Sequence, residues 1–345
     1  MRSILPGWNI PAFLTVLLLL CELGGCAAPP VAATPRAGID ATSGPAWWRE
    51  SSDPLLWRLV DSGLQSDPSL RHDARTLERA RALSRQRGLR QWAARMLGYP
   101  PQDLGALALQ LAEARQRKAA SIARAYVRLR RLQAELRLRR DFQQHFRDDA
   151  DIAQWRRAAG IVTGIDSGLA STLLGINASA LAGTRARLGV ATATLARRSG
   201  VPLDRLQRDV DDGAGLPRLV VPPATTATTC PDADQQARIA RERAALAQAA
   251  ARDEALQQLE ADATRTVADA RTAYHLGTGD FATLYVAETA ALRVRLARVA
   301  ARADGADAAI DLLRAQGLAL TRASASPPMR RGGDARRAPT GCSGD

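Results

Sequence analysis

Histidine and cysteine are the side chains that most often do chemistry, and this 345-residue sequence has three of one and four of the other. His72, His145 and His275 are dispersed, with no carboxylate or cysteine at ligand spacing, so neither a zinc site nor a nucleophile–base pair is expected. Asp148, Asp149 and Asp151 form an acidic cluster that reads as a solvated helix face balanced by Arg147, Arg156 and Arg157. Gly277-Thr-Gly279 is a bare G-x-G between helical patterns, without the preceding strand that a dinucleotide fold requires. The sequence therefore predicts no catalytic residue, no metal and no cofactor, and the protein reads as a non-enzyme.

One cysteine has a chemistry of its own. Arg2 supplies a positive start, and Phe13 through Leu20 form an apolar core too short to span a bilayer comfortably. It runs into Leu23-Gly24-Gly25-Cys26, which resembles a bacterial lipobox. That resemblance implies a signal peptide over 1–25, lipidation (diacylglyceryl and palmitate) at Cys26, and a flexible tether over 26–46. Ala27 after the cysteine implies an address at the periplasmic face of the outer membrane. Ordinary signal cleavage after Ala28 or Ala33 is the alternative. Cys230 and Cys342 could pair in an oxidising compartment, although both fall in loop-like segments.

The rest of the chain suits long helices. Aromatics are 4% of the sequence, too few for a sandwich or barrel, while Ala, Leu and Arg dominate. The net charge of +13 is almost wholly arginine, Lys118 being the single lysine. Those arginines alternate with Asp and Glu along helices instead of forming one block, which argues against a nucleic-acid footprint.

The same punctuation appears twice. Gly160-Ile-Val-Thr163-Gly-Ile-Asp166 and Gly277-Thr-Gly-Asp280-Phe281 each close one helical pattern and open another, which runs to a second glycine 40 positions on, Gly200 and Gly317. Asp53-Pro54 is an N-cap with proline at the first helical position, opening a short helix to Gly63. Asp67-Pro68 opens another, with Leu70, Ala74, Leu77, Ala80 and Leu83 on one face, stopped by Gly98-Tyr-Pro-Pro101. From Asp103 a heptad-like seam (Leu104, Leu107, Leu111, Ala114, Ile122, Ala125, Leu129, Leu132, Leu136) predicts a helix to about Ala159, on the order of 80 Å long. Leu174, Leu181, Leu188 and Leu195 continue the pattern after the first joint, and Tyr285, Thr289, Leu292, Leu296, Val299, Ala303, Ala306, Ile310 and Leu313 after the second. Between them lie a Pro/Gly/Thr-rich linker over 200–231 and a polar helix from Asp232 to Tyr274. The domain reading is a first helical repeat over 47–199, that linker, a second repeat over 232–320, and a disordered tail over 321–345.

Two stretches and the two joints carry a resemblance. Trp47-Trp48, Ser52-Asp53-Pro54-Leu55, Leu59, Gly63-Leu64 and Asp67-Pro68-Ser-Leu70, then Ala123-Arg-Ala-Tyr126-Val-Arg-Leu-Arg-Arg-Leu132-Gln, look like the entry segment and next helix of TolC-type outer-membrane efflux proteins, lipoprotein branch. Gly160, Thr163 and Asp166 match that family's first periplasmic tip turn; Tyr274, Gly277, Asp280 and Phe281 match the second. The resemblance implies a homotrimeric conduit whose tips meet a periplasmic adaptor and an inner-membrane pump, with Gly160, Thr163, Asp166, Gly277, Asp280 and Phe281 as partner-binding residues. One departure stands out. The family inserts membrane strands in each repeat, whereas here the first insertion point is only Gly98 to Gln102 and no 9–11-residue alternating segment follows Cys230. The expected fold is thus all-α, an elongated antiparallel bundle of two helix–turn–helix repeats without a β-barrel. The expected function is an outer-membrane efflux-factor-like lipoprotein; the alternative is a non-transporting scaffold or assembly lipoprotein that binds an adaptor or channel.

Overall fold

A computed structural model describes residues 46–85, 96, 103–210, 215–221 and 233–325. The described chain is helical and contains no strand. A short 3₁₀ turn, Trp47–Glu50, leads into α1 (Pro54–Ser66) and α2 (Pro68–Arg85). The long helices α3 (Leu104–Ala158) and α4 (Gly164–Ser199) follow, then α5 (Leu203–Asp209), α6 (Ala233–Leu276) and α7 (Phe281–Ala325). Cys26, Cys230, Cys342, the predicted signal peptide and the stretch Gly98 to Gln102 lie outside the described residues.

Helix starts follow local chemistry. Asp53 caps α1 by accepting from the Leu55 amide at 2.9 Å, with Pro54 at the first helical position. Asp67 repeats the device for α2, accepting from Ser69 N at 2.9 Å, and Asp103 caps α3 through Gly105 N at 2.9 Å and Ala106 N at 3.1 Å. The α3 seam packs as the heptad pattern predicts, with Leu111, Ile122, Ala125, Leu129, Leu132 and Leu136 buried.

The long helices lie side by side in the order α4, α3, α7, α6, each antiparallel to its neighbour. α1 and α2 pack on α3. One core gathers Trp47, Trp48, Leu56, Ile122, Tyr126, Leu195 and Ile310 where the entry segment crosses α3, α4 and α7. A second gathers around the two joints. α6 packs chiefly on α7, and only Gln235, Ala249, Ala270 and Tyr274 of its 44 residues are buried. Much of the α7 seam is alanine (Ala301, Ala303, Ala306, Ala308, Ala309), which lets helix backbones approach closely while burying little area per residue.

Three local readings are corrected. Gly317 does not end its helix: α7 continues to Ala325, because one interior glycine costs only about 1 kcal/mol and the helix formers Leu318, Ala319 and Leu320 follow. Leu83 is 57% exposed rather than part of the α2 stripe. The linker holds a helical turn, α5, whose Leu206 is fully buried, and an extended stretch in which Arg218 pairs with Ser52 through two 3.2 Å hydrogen bonds.

Trp47 and Trp48 pack inside the bundle. Trp47 donates its indole N–H to Gln116 Oε1 at 2.8 Å, and Trp48 donates to Asp61 Oδ1 at 2.8 Å.

Candidate functional site: the paired turns

Both joints are built by one backbone device. Gly160 has φ 74° and Gly277 φ 78°, the left-handed region that glycine enters without a Cβ clash. At the first, Ile161 N donates to Arg156 O at 2.8 Å and Gly160 N to Arg157 O at 3.0 Å. At the second, Thr278 N donates to Ala273 O at 3.0 Å and Gly277 N to Tyr274 O at 3.1 Å. These are 6→1 and 5→2 bonds, the Schellman ending that satisfies the last free carbonyls of a helix. Each following helix restarts within a few residues. Thr163 is the α4 N-cap position, but its side chain makes no capping bond there. Asp280 caps α7 by accepting from Thr283 N at 2.7 Å, and that amide holds its carboxyl below the usual range.

The two turns meet at one end of the layer. Arg156 of α3 donates to the carbonyl of His275 on α6 at 3.0 Å and stacks 4.5 Å above the Tyr274 ring. Beneath them Tyr274 and Phe281 pack edge to face at 5.5 Å, with Ala150, Ala153, Ala170, Leu284 and Ala287 around them. Phe142 and Phe146 extend this apolar plug one layer further. Three of the four phenylalanines, Phe142, Phe146 and Phe281, are thus spent on bracing the turns.

The residues expected at the tips therefore divide. Gly160, Thr163, Gly277 and Asp280 are exposed and Asp166 is half-buried in the first turn of α4. Phe281 is fully buried and supports the second turn from below, so it presents no surface here. Four residues that the sequence did not single out do present one: Trp155, Ile161, Ile165 and Leu276 flank the joints and are 71%, 69%, 72% and 74% exposed.

Behind the turns sits a polar cluster that reads differently from sequence. Asp149 is not on a solvated face: it is buried, whereas Asp148 and Asp151 are exposed. It faces the fully buried Glu288 of α7 and lies 3.9 Å from the Arg271 guanidinium of α6, which also binds Glu288 Oε1. Burial, reinforced by the Asp149 charge, pushes the Glu288 carboxyl up to about 8, and burial raises Asp149 as well. Two buried carboxyls in contact hold one proton between them, so the cluster braces α3, α6 and α7 with little net charge. Glu288 carried no signal in the sequence because its partners lie 17 and 139 positions away.

The entry segment has its own lock. Tyr126 donates its hydroxyl to Asp53 Oδ2, and Arg130 Nε donates to the Tyr126 hydroxyl at 2.8 Å. Burial, then the Asp53 bond, drives the Tyr126 hydroxyl well above its ordinary range. The two stretches that carried the resemblance thus touch each other, cap to core.

The backbone can now be compared with solved structures. The outer membrane protein VceC from Vibrio cholerae superposes with a TM-score of 0.64 at 16% identity, covering 79% of this chain and 99% of that one. The outer-membrane channel OprN gives 0.63 at 14% identity over 85% and 98% of the two chains. CusC, described for conformational changes on folding and transmembrane channel formation, gives 0.60 at 13% over 79% and 94%. The fold is that of outer-membrane channel proteins. No protein-family model matches the sequence, and no curated protein is significantly similar to it. The resemblance in the short entry and tip motifs is therefore accompanied by a backbone likeness over 79–85% of the chain. Among the described residues, no group of three or more His, Cys, Asp or Glu side chains could hold a metal, and no helix is long and apolar enough to cross a membrane.

Proposed function

We propose that this protein is the periplasmic helical part of a tripartite efflux system, tethered to the outer membrane by lipid at Cys26, with its paired turns as the docking end for a periplasmic adaptor bound to an inner-membrane pump. The observation that carries this is the exposed apolar rim of Trp155, Ile161, Ile165 and Leu276 around two rigidly built turns. Apolar side chains grouped at one end of a helical layer, left uncovered by the described residues of their own chain, mark a contact surface. The turns are preorganised by the Schellman bonds and the aromatic plug, which lowers the ordering cost of docking. Homotrimer formation fits the open layer: α6 and the Ile176 side of α4 leave two long edges for neighbouring copies. The work is passive conduction or scaffolding; no covalent step is assigned to any residue.

The test is site-specific photocrosslinking in cells from position 161 and, separately, from position 276, followed by identification of the adduct. Adaptor adducts from both positions, lost on Ile165→Asp, are expected. Adducts only to a different, full-length channel protein would replace this reading with the scaffold one.

A further inference from the structure

We propose that a groove on the face of the helical layer opposite α1 binds organic anions that carry an apolar body. The groove has a volume of about 850 Å³, with α3 as its floor and α4 and α7 as its walls. Clefts of roughly 300–1,000 Å³ are the size that takes small ligands.

Arg124, Arg128 and Arg131 of α3 and Arg187 and Arg198 of α4 line it, against two carboxyls, Glu135 and Asp307. The ion pairs consume only some of these cations. Arg124 is bound at 2.8 and 3.0 Å to both oxygens of Asp311. Glu135 is shared, 3.0 Å from Arg131 and 3.7 Å from Arg187. Arg198 donates to a carbonyl, that of Ser121, at 2.9 Å. Among the described residues neither Arg198 nor Arg128 has a carboxylate partner. Two guanidiniums and part of a third are thus left facing one cleft.

Asp307 weakens the opposition further. Its carboxyl is pushed up to about 6 by burial, with Arg124 and Arg131 pulling against that and Asp311 and Asp304 adding to it. Below that pH the groove loses one of its two negative charges.

Apart from Thr194, the rest of the lining is apolar. Val127 and Leu132 are buried beneath the floor, and the accessible apolar surface is on the α4 wall, where Ala186 is exposed and Val190 on the rim is 69% exposed. A guanidinium fork pairs with two oxygens of a carboxylate, sulfonate or phosphate, while the aliphatic α4 wall takes the body of the same molecule. An inorganic anion uses only half of this surface, and a neutral ligand uses only the other half. Any transport role for the bound anion rests on the proposed conduit; the binding does not.

Calorimetric titration of the purified full-length protein with naphthalene-2-sulfonate, and with the uncharged naphthalene-2-sulfonamide, tests the assignment. Saturable sulfonate binding is expected, with the sulfonamide at least tenfold weaker. The triple change Arg128→Gln, Arg187→Gln and Arg198→Gln should weaken the sulfonate at least tenfold, and the matched surface triple Arg241→Gln, Arg243→Gln and Arg293→Gln should not. Val190→Glu, at an exposed rim position, should weaken it several-fold without touching the arginines. Absence of binding, equal affinity for the two probes, or equal effects of the two arginine triples would overturn the proposal. Because no adaptor is present, the outcome is independent of docking at the turns.

Discussion

Replacing Glu288 by glutamine should flatten the dependence of stability on pH. The side chain is fully buried between Asp149 of α3 and Arg271 of α6, with His145 and His275 near enough to favour the Asp149 charge. Its carboxyl titrates near 4.5 when free and near 8 in the folded protein. As pH rises above 4.5 the unfolded chain releases this proton while the folded chain keeps it. Stability is therefore fully present below about 4.5, falls through the window, and levels off above about 8. Each pH unit inside the window costs about 1.4 kcal/mol, on the order of 5 kcal/mol in all. Glutamine mimics the protonated carboxyl and cannot ionise. Urea unfolding followed by helix circular dichroism should find Glu288→Gln close to the parent at pH 4.5 and several kcal/mol more stable at pH 9. Titrating groups other than Asp149, which is coupled to Glu288, are common to both proteins and cancel in the difference. Parallel stability curves from pH 5 to 9 would refute the buried shared-proton account. Glu288→Ala, which leaves a cavity as well, should be about 2–5 kcal/mol less stable than Glu288→Gln at every pH.

Two further predictions separate backbone strain from crowding and test the entry lock. Gly160→Ala and Gly277→Ala meet no atom within 4 Å, so each should cost only the left-handed backbone term, about 1–2 kcal/mol by thermal unfolding. Gly63→Ala, whose new Cβ would lie 2.3 Å from Ile122 Cδ1 and 3.0 Å from the Arg198 carbonyl, should cost about 1–3 kcal/mol through overpacking at ordinary φ. Asp53→Ala removes the α1 cap and strips Tyr126 and Arg130 of their carboxylate; a loss of about 2–4 kcal/mol is expected in urea unfolding, with Asp53→Asn recovering the cap but not the charge. A change under about 0.5 kcal/mol for Asp53→Ala would show that the lock carries no weight.

Helix placement was legible in the chain because its signals are local. Asp-Pro starts, the glycine stops at 160, 200 and 277, and a leucine seam at 3–4 spacing need only the residues within a turn or two of each other. The extent of α3, predicted to end near Ala159 and found to end at Ala158, follows from that. So does the pairing of the two joints as repeats of one motif. The all-α fold was readable for the same reason, and the solved channel structures share it.

What required tertiary structure is the fate of side chains whose partners are remote in sequence. Nothing near Asp149 distinguishes it from Asp148 and Asp151; its burial is decided by α6 and α7. Phe281 looked like a surface aromatic on a turn until Tyr274 packed under it. The apolar rim of Trp155, Ile161, Ile165 and Leu276 is visible only once both turns stand at one end, and the arginine groove only once α4 and α7 flank α3. Capping and periodicity are short-range and so are written along the chain. Desolvation and long-range charge pairing depend on which helices become neighbours, and only the folded layer decides that.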